Sequence, residues 1–211
     1  YGTKAEQLTM NNYVLYSGQL WEALDTNDTN NTIKLVSPVS LTSIAYGETN
    51  DWNTSWVKKW LNEYFYSRLE RTDLIKDTEF CIDPVDVTPD SYTKMTICTN
   101  KVTEKVGLLT YEDYIYALDG MTIQDGGSYL DEDEVSWLIT SNNTSSNKNW
   151  QTYYENPSKL SIEYSTNTYG LGVRPVINIK DNVLVKEGKG TRANPYILSS
   201  ERSLKKNTKL N

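Results

Sequence analysis

"YGLGVRPVINI", residues 169 to 179, decides the reading of this chain. It alternates as a strand should. Val173, Pro175 and Ile177 point one way, and Arg174, Val176 and Asn178 the other. Two residues break the apolar run: a guanidinium and, directly after it, a proline. A guanidinium on a core-facing strand needs an acidic or carbonyl partner, because an unpaired buried charge is far too costly. Proline removes one ladder donor, so the strand lies at an edge or beside a neighbour that does not need that bond.

The composition limits what such a strand can belong to. At 211 residues and 24.2 kDa the chain suits one domain that buries about 70% of its unfolded surface. A net charge of −7 argues against nucleic acid and anionic membranes, which call for basic patches. No stretch reaches the roughly 18 apolar residues of a membrane span. Tyr and Trp number 16 and 6 against 2 Phe, an excess that predicts aromatic groups at half-wet surface positions as well as inside. Histidine is absent, which removes the side chain used most in general acid–base catalysis and zinc binding. Cys81 and Cys98 are the only cysteines and enclose the polar, proline-punctuated "CIDPVDVTPDSYTKMTIC". A disulfide is favoured over two buried thiols because this segment is poorly able to hold itself in place. The bridge would contribute on the order of 3 kcal/mol and imply an extracellular compartment.

Residues 1–11 read as a polar lead-in, frayed at the start. "NNYVLYSGQLWEALDTNDTNNTIKLVS" reads as two or three strands with a tight turn at Ser17-Gly18. "DWNTSWVKKWLNEYFYSRLERTDLI" predicts a helix burying Trp56, Trp60, Leu61, Tyr64 and Phe65 on one face, capped by Asn53 or Thr54. "TYEDYIYALDG" predicts a shorter helix, opened by Thr110 with Asp113 and closed by Gly120. "SWLIT" is a buried strand, and "SNNTSSNKNWQTYYENPS" a long polar loop with aromatic residues at its far end. "KLSIEYST", "GLGVRPVINI", "VLVKEG" and "NPYIL" are closing strands, and residues 199–211 a disordered basic tail.

Taken in order, "YSGQLWEAL", "TIKLVS", "SWVKKWLNEYFYSRL", "VGLLTYEDY", "SWLIT", "GVRPVINI" and "GTRANPYIL" resemble a bacterial family of surface domains with a C-type-lectin-like fold. That family is related in architecture to the formylglycine-generating-enzyme/sulfatase-modifying-factor group. It occurs in Gram-positive bacteria, in some members behind prepilin-type leaders or other anchors. The resemblance covers residues 12–198. It implies an α+β domain with two helices around small twisted antiparallel sheets and long loops, held at the cell surface. In such folds the Arg174 strand is central, and its guanidinium fastens irregular segments to the core through loop carbonyls or a carboxylate. Glu63, Glu112 and Asp113 are the candidate partners.

The enzymatic branch of that resemblance needs a closely spaced cysteine pair near the C-terminus, which this chain lacks, so no catalytic residue is assigned. "YLDEDEVSW" offers carboxylates, and Asp131 and Asp133 are the candidate ligands should calcium bind. "ENP" at 155–157 and "DWN" at 51–53 stand in the wrong order for a calcium-dependent sugar site. The remaining chemistry is a contact surface. The loop after "SWLIT" carries Asn143, Asn147 and Asn149 with Trp150, Tyr153 and Tyr154, a mixture of amides and aromatic platforms suited to a glycan or a protein epitope. Trp150 fits a core position as well as a ligand face. The expectation is a non-enzymatic adhesion or recognition domain without cofactor. The alternative is a pilin or surface-assembly subunit whose partners are copies of itself.

Overall fold

Ser17 and Gly18 both adopt positive φ (55° and 70°), the geometry of a two-residue hairpin turn whose twist matches its flanking strands. They join β2 (Tyr13–Tyr16) to β3 (Gln19–Ala23), and strands are numbered here along the chain. The computed structural model describes residues 3–4, 12–24, 32–84, 98–116, 135–141, 145–156, 159–180 and 183–199. The hairpin lies within a seven-stranded sheet that also holds β1 (Thr3–Lys4), β4 (Thr32–Val36), β12 (Val176–Lys180), β13 (Leu184–Glu187) and β14 (Tyr196–Ser199). The order is β1-β13-β14-β2-β3-β4-β12. Thr3 and Lys4 thus form an edge strand on Val185 and Leu184 instead of fraying. The sheet is larger than expected and not wholly antiparallel, since β14 runs parallel to β2 and joins sequence from both ends of the chain.

Three smaller antiparallel sheets complete the α+β architecture. They are β5 (Thr42–Ala45) with β11 (Gly170–Val173), β6 (Thr78–Cys81) with β7 (Lys101–Glu104), and a sheet of β8 (Trp137–Ser141), β9 (Lys148–Asn156) and β10 (Lys159–Thr166). Among the described residues no helix is long and apolar enough to cross a membrane.

The stretch 169–179 is two strands, not one. β11 ends at Val173 in one sheet, and β12 begins at Val176 in another. Their partners β5 and β4 change sheets at the same place, with five residues, 37–41, linking them where Arg174 and Pro175 link β11 to β12. The bend explains both odd residues. Pro175 falls where its missing N–H breaks no ladder, and its carbonyl accepts from the Ser37 N–H at 2.9 Å. Arg174 is 2% exposed and donates from Nε to the Ser37 carbonyl at 2.9 Å. Of the three proposed carboxylate partners, Glu63 is exposed and Asp113 is engaged by Lys34 at 2.7 Å.

β12 has neighbours on both edges and both faces. Gly107 exchanges backbone bonds with Val176, and Lys76 donates to the Asn178 carbonyl. A Cβ on Gly107 would meet the Phe80 ring at 2.6 Å, so only glycine permits this approach. One face of the seven-stranded sheet presents Val14, Trp21, Leu35, Ile177 and Ile179 to the core. The other carries Glu22, Lys34 and Asn178 among valines. Lys34 reaches Asp113 at the start of α2 (Tyr111–Tyr116) and draws that helix onto this second face. Thr110 and Asp113 cap α2 reciprocally, each backbone N–H bonded to the other's side chain at 3.0 Å. Gly120 lies outside the described residues.

The long helix departs from its expected face. It begins as α1 (Trp56–Lys59), widens into a π-helical stretch (Trp60–Phe65) and closes in a 3-10 turn (Tyr66–Arg68). Ser55, not Asn53 or Thr54, caps it, accepting from Lys58 N. The buried stripe is Val57, Leu61 and Phe65, whereas Trp56 is 48% and Tyr64 54% exposed. Two stripes one residue apart both carry large apolar side chains, and the sequence pattern merged them. The wider π turn keeps i, i+4 residues nearly in line, so the stripes stay separate.

Candidate functional site

Trp56, Trp60, Tyr64 and Arg68 follow one another at four-residue spacing along a second stripe of the helix, on which Trp60 is half-buried against the core and the other three are exposed. A helix that buries its other stripe normally covers the outward one with charged groups. Here it carries aromatic rings. Trp60, Tyr64 and Arg68, together with Gln19 from the β2–β3 hairpin, line an open cleft of about 430 Å³ whose more buried apolar part comes from Leu41, Phe65 and Leu69. Among the described residues, the Gln19 amide, the Trp60 indole N–H, the Tyr64 hydroxyl and the Arg68 guanidinium meet no hydrogen-bond or ion-pair partner.

The cleft is rigid for identifiable reasons. Trp60 stacks on Phe65 with ring centroids 5.5 Å apart and planes at 22°. Phe65 meets the edge of Trp21 at 6.3 Å, and fully buried Trp21 donates from Nε1 to the Tyr16 carbonyl at 3.0 Å. A continuous line of rings therefore runs from the core to the cleft wall. Side-chain bonds also tie the two walls together. The Tyr16 hydroxyl donates to the Arg71 carbonyl at 2.7 Å, and Glu70 N donates to Ser17 Oγ at 2.5 Å. Burial, reinforced by the charge of Asp73, pushes the Tyr16 phenol above its ordinary value and keeps it a donor. Arg71, held in the left-handed region (φ 54°), directs the chain away from the helix. Its guanidinium pairs with Asp73, lowering that carboxyl and raising the arginine, but both groups are exposed and the pair contributes little.

The segment expected to bind ligand is built differently. Residues 148–156 are strand β9, paired with β10 on one side and β8 on the other, and not a loop. Asn149 is fully buried and donates from Nδ2 to the Leu138 carbonyl at 3.0 Å, so its amide belongs to the core. This corrects its assignment to a ligand surface. Asn147 is exposed in the turn before β9, and its Oδ1 accepts a short hydrogen bond from Ser145 Oγ. Asn50 N donates to the Ser146 carbonyl at 2.8 Å, and Asn167 N to the Asn147 carbonyl at 2.9 Å, which pins this turn to the body. Trp150, Tyr153 and Tyr154 sit opposite Tyr164, Ser161 and Leu160 in the ladder. Asn143 lies outside the described residues, as do Asp131, Asp133 and the tail from 200 onward.

Cys81 and Cys98 form a disulfide with Cα atoms 5.9 Å apart. Together with Asp83 they bring three potential metal-ligating atoms within 4.8 Å, but the sulfurs are consumed by the bridge. The Asp83 carboxylate is occupied as well. It accepts from Thr99 N, Asn100 N, Thr99 Oγ1 and Asn100 Nδ2 at 2.5–3.1 Å. Burial raises the Asp83 carboxyl, but the four donors outweigh that effect and hold it below the usual range. This cluster staples β6 to β7 and has no free ligand set.

The cleft escaped the sequence reading because aromatic residues at helical spacing were assigned to the core. The signal that separates the stripes was present: Val57-Leu61-Phe65-Leu69 is the purely apolar series, whereas Trp56-Trp60-Tyr64-Arg68 ends in a charge. Gln19 carries no local signal and reaches the cleft only through tertiary structure. Compared with known protein families, curated proteins and solved structures, the chain matches none.

Proposed function

We propose that this chain is a non-catalytic recognition domain with a C-type-lectin-like fold, acting outside the cell on a surface-anchored protein. Its ligand-facing surface is the Trp60–Tyr64–Arg68 cleft. One observation carries the reading: the Trp60 ring, braced from the core, and the exposed Tyr64 ring stand beside a Gln19 amide and an Arg68 guanidinium that meet no partner among the described residues. Aromatic area supplies adhesion and amide or guanidinium groups supply direction, the usual division of labour in binding glycans and protein epitopes. The lack of histidine and the commitment of both cysteines to one disulfide support binding without turnover. The disulfide agrees with an exported domain.

A glycan array and a pull-down against surface proteins test the proposal, comparing wild type with Trp60→Ala and Tyr64→Ala. Loss of binding in Tyr64→Ala with its melting curve kept, and in Trp60→Ala at a temperature where it remains folded, supports it. Binding unchanged in both but lost in Tyr153→Ala/Tyr154→Ala would return the site to β9. Trp56 and Tyr64 also suit contact between copies of the chain, a second reading favoured by their large exposed area. Concentration-dependent dimers abolished by Trp56→Ala would replace ligand recognition with self-assembly.

A further inference from the structure

The cleft specifies more than recognition in general. Arg68 is exposed at the helix end, in a protein of net charge −7, yet no described carboxylate lies within ion-pair distance of it. Several cations do find acids, Arg71 with Asp73, Lys101 with Glu79 and Lys105 with Asp77, whereas Arg68, like Lys59 on the same helix, meets none among the described residues. In an acidic chain, an arginine that meets no acid among the described residues and stands beside an aromatic wall can take an anion from outside. Its planar fork of donors fits a carboxylate bidentately.

The shape of the site decides what carries that carboxylate. At about 430 Å³ the cleft is near the low end of the size range of small-molecule sites. That volume suits a compact ligand better than an extended peptide, which needs a groove or an open sheet edge several residues long. One wall is the flat face of Trp60, fixed by its stack on Phe65, with the Tyr64 ring one helical turn further on. Across from them the Gln19 amide, which both donates and accepts, suits hydroxyl groups. A ring with an apolar face, a rim of hydroxyls and one carboxylate satisfies all three walls.

Building on the recognition reading above, we propose that this cleft binds a carboxylated sugar residue, a uronic or a sialic acid. The ring lies on Trp60 and Tyr64, Arg68 holds the carboxylate, and Gln19 bonds a hydroxyl. Because the stack on Phe65 already holds the Trp60 ring in place, little of its side-chain freedom is lost on binding.

Calorimetric titration with oligosaccharides ending in glucuronic acid or N-acetylneuraminic acid, with their methyl esters and with neutral counterparts tests this. The expected result is at least roughly tenfold tighter binding of one acid series than of its ester, as a charge-assisted pair warrants. That advantage should shrink as salt rises and vanish in Arg68→Gln. The glucuronate and sialate arms separate the two sources. Trp60→Ala should abolish binding of every sugar, and the more exposed Tyr64→Ala should weaken it with the melting curve unchanged. Equal affinity for acid and ester, with binding still lost in Trp60→Ala, would overturn the carboxylate assignment and leave the recognition reading intact. Preferred binding of acidic peptides through Arg68 would overturn the sugar class. No measurable binding of any saccharide or peptide would remove the recognition reading together with its refinement.

Discussion

The helix at 56–68 and the segment at 145–156 exchanged roles between sequence and structure, and the exchange is instructive. The helix has the composition of a core element, with tryptophans and tyrosines at helical spacing. Yet half of that aromatic material faces out. The second segment has the composition of a recognition loop, rich in asparagine. Yet it is pinned at its turn, its buried Asn149 is spent on a carbonyl, and its backbone is a central strand. Composition records which groups are present, not whether they are already satisfied. A polar end with a partner inside the protein has finished its work, and one without a partner remains available. By that criterion we propose the helix stripe as the contact surface, and Asn149 belongs to the framework.

The comparison breaks most readily at the helix. Leu61→Ala empties a fully buried position and should cost about 2–5 kcal/mol, whereas Tyr64→Ala, one stripe over, should stay within about 0.5 kcal/mol. Thermal melts of the pair check this, with about 2–4 °C expected per kcal/mol in a chain of this size. Equal losses would mean that both stripes are core. The staple between β6 and β7 comes next. Replacing Cys81 and Cys98 by serine should cost on the order of 3 kcal/mol by releasing the loop they close, read as a lower denaturant midpoint.

A sharper contrast lies within the second segment. Asn149→Ala leaves the Leu138 carbonyl without its buried donor and should cost about 1–3 kcal/mol. Asn147→Ala, at an exposed position two residues earlier, should cost much less. The smallest effect is at Asp83. Its folded-state pKa lies below the ordinary 3.8, so its carboxylate stabilises the fold fully above that value. The contribution fades as pH falls further, through the depressed pKa. The stability gap between wild type and Asp83→Asn should therefore be constant near neutrality and shrink below about pH 4. A gap that widened on acidification would contradict the network drawn around it.

How far the sequence could be read depends on where each residue's partners lie. The Ser17-Gly18 hairpin, the Thr110–Asp113 cap and the Cys81–Cys98 pairing are settled by near neighbours or by the lack of any other cysteine, and each was legible. The bend at Arg174–Pro175 was visible as an anomaly. Its meaning depended on Ser37, which lies 137 residues away, so the partner could not be read from the strand itself. The cleft was the least legible feature. It needs the hairpin tip and the helix end side by side, held there by Tyr16 with Arg71 and by Ser17 with Glu70. Without those contacts, Gln19 and Arg68 are two unremarkable polar residues.

The most direct test is a titration followed in ¹H–¹⁵N spectra, in which glucuronate- or sialate-terminated saccharide is added while the Trp60 indole, the Arg68 Nε–H and the Gln19 side-chain amide are monitored. Saturating shifts at these three groups, with the backbone of 145–156 still, are the predicted result. Shifts that gather along 145–156 and leave Trp60 and Arg68 unmoved would contradict the account.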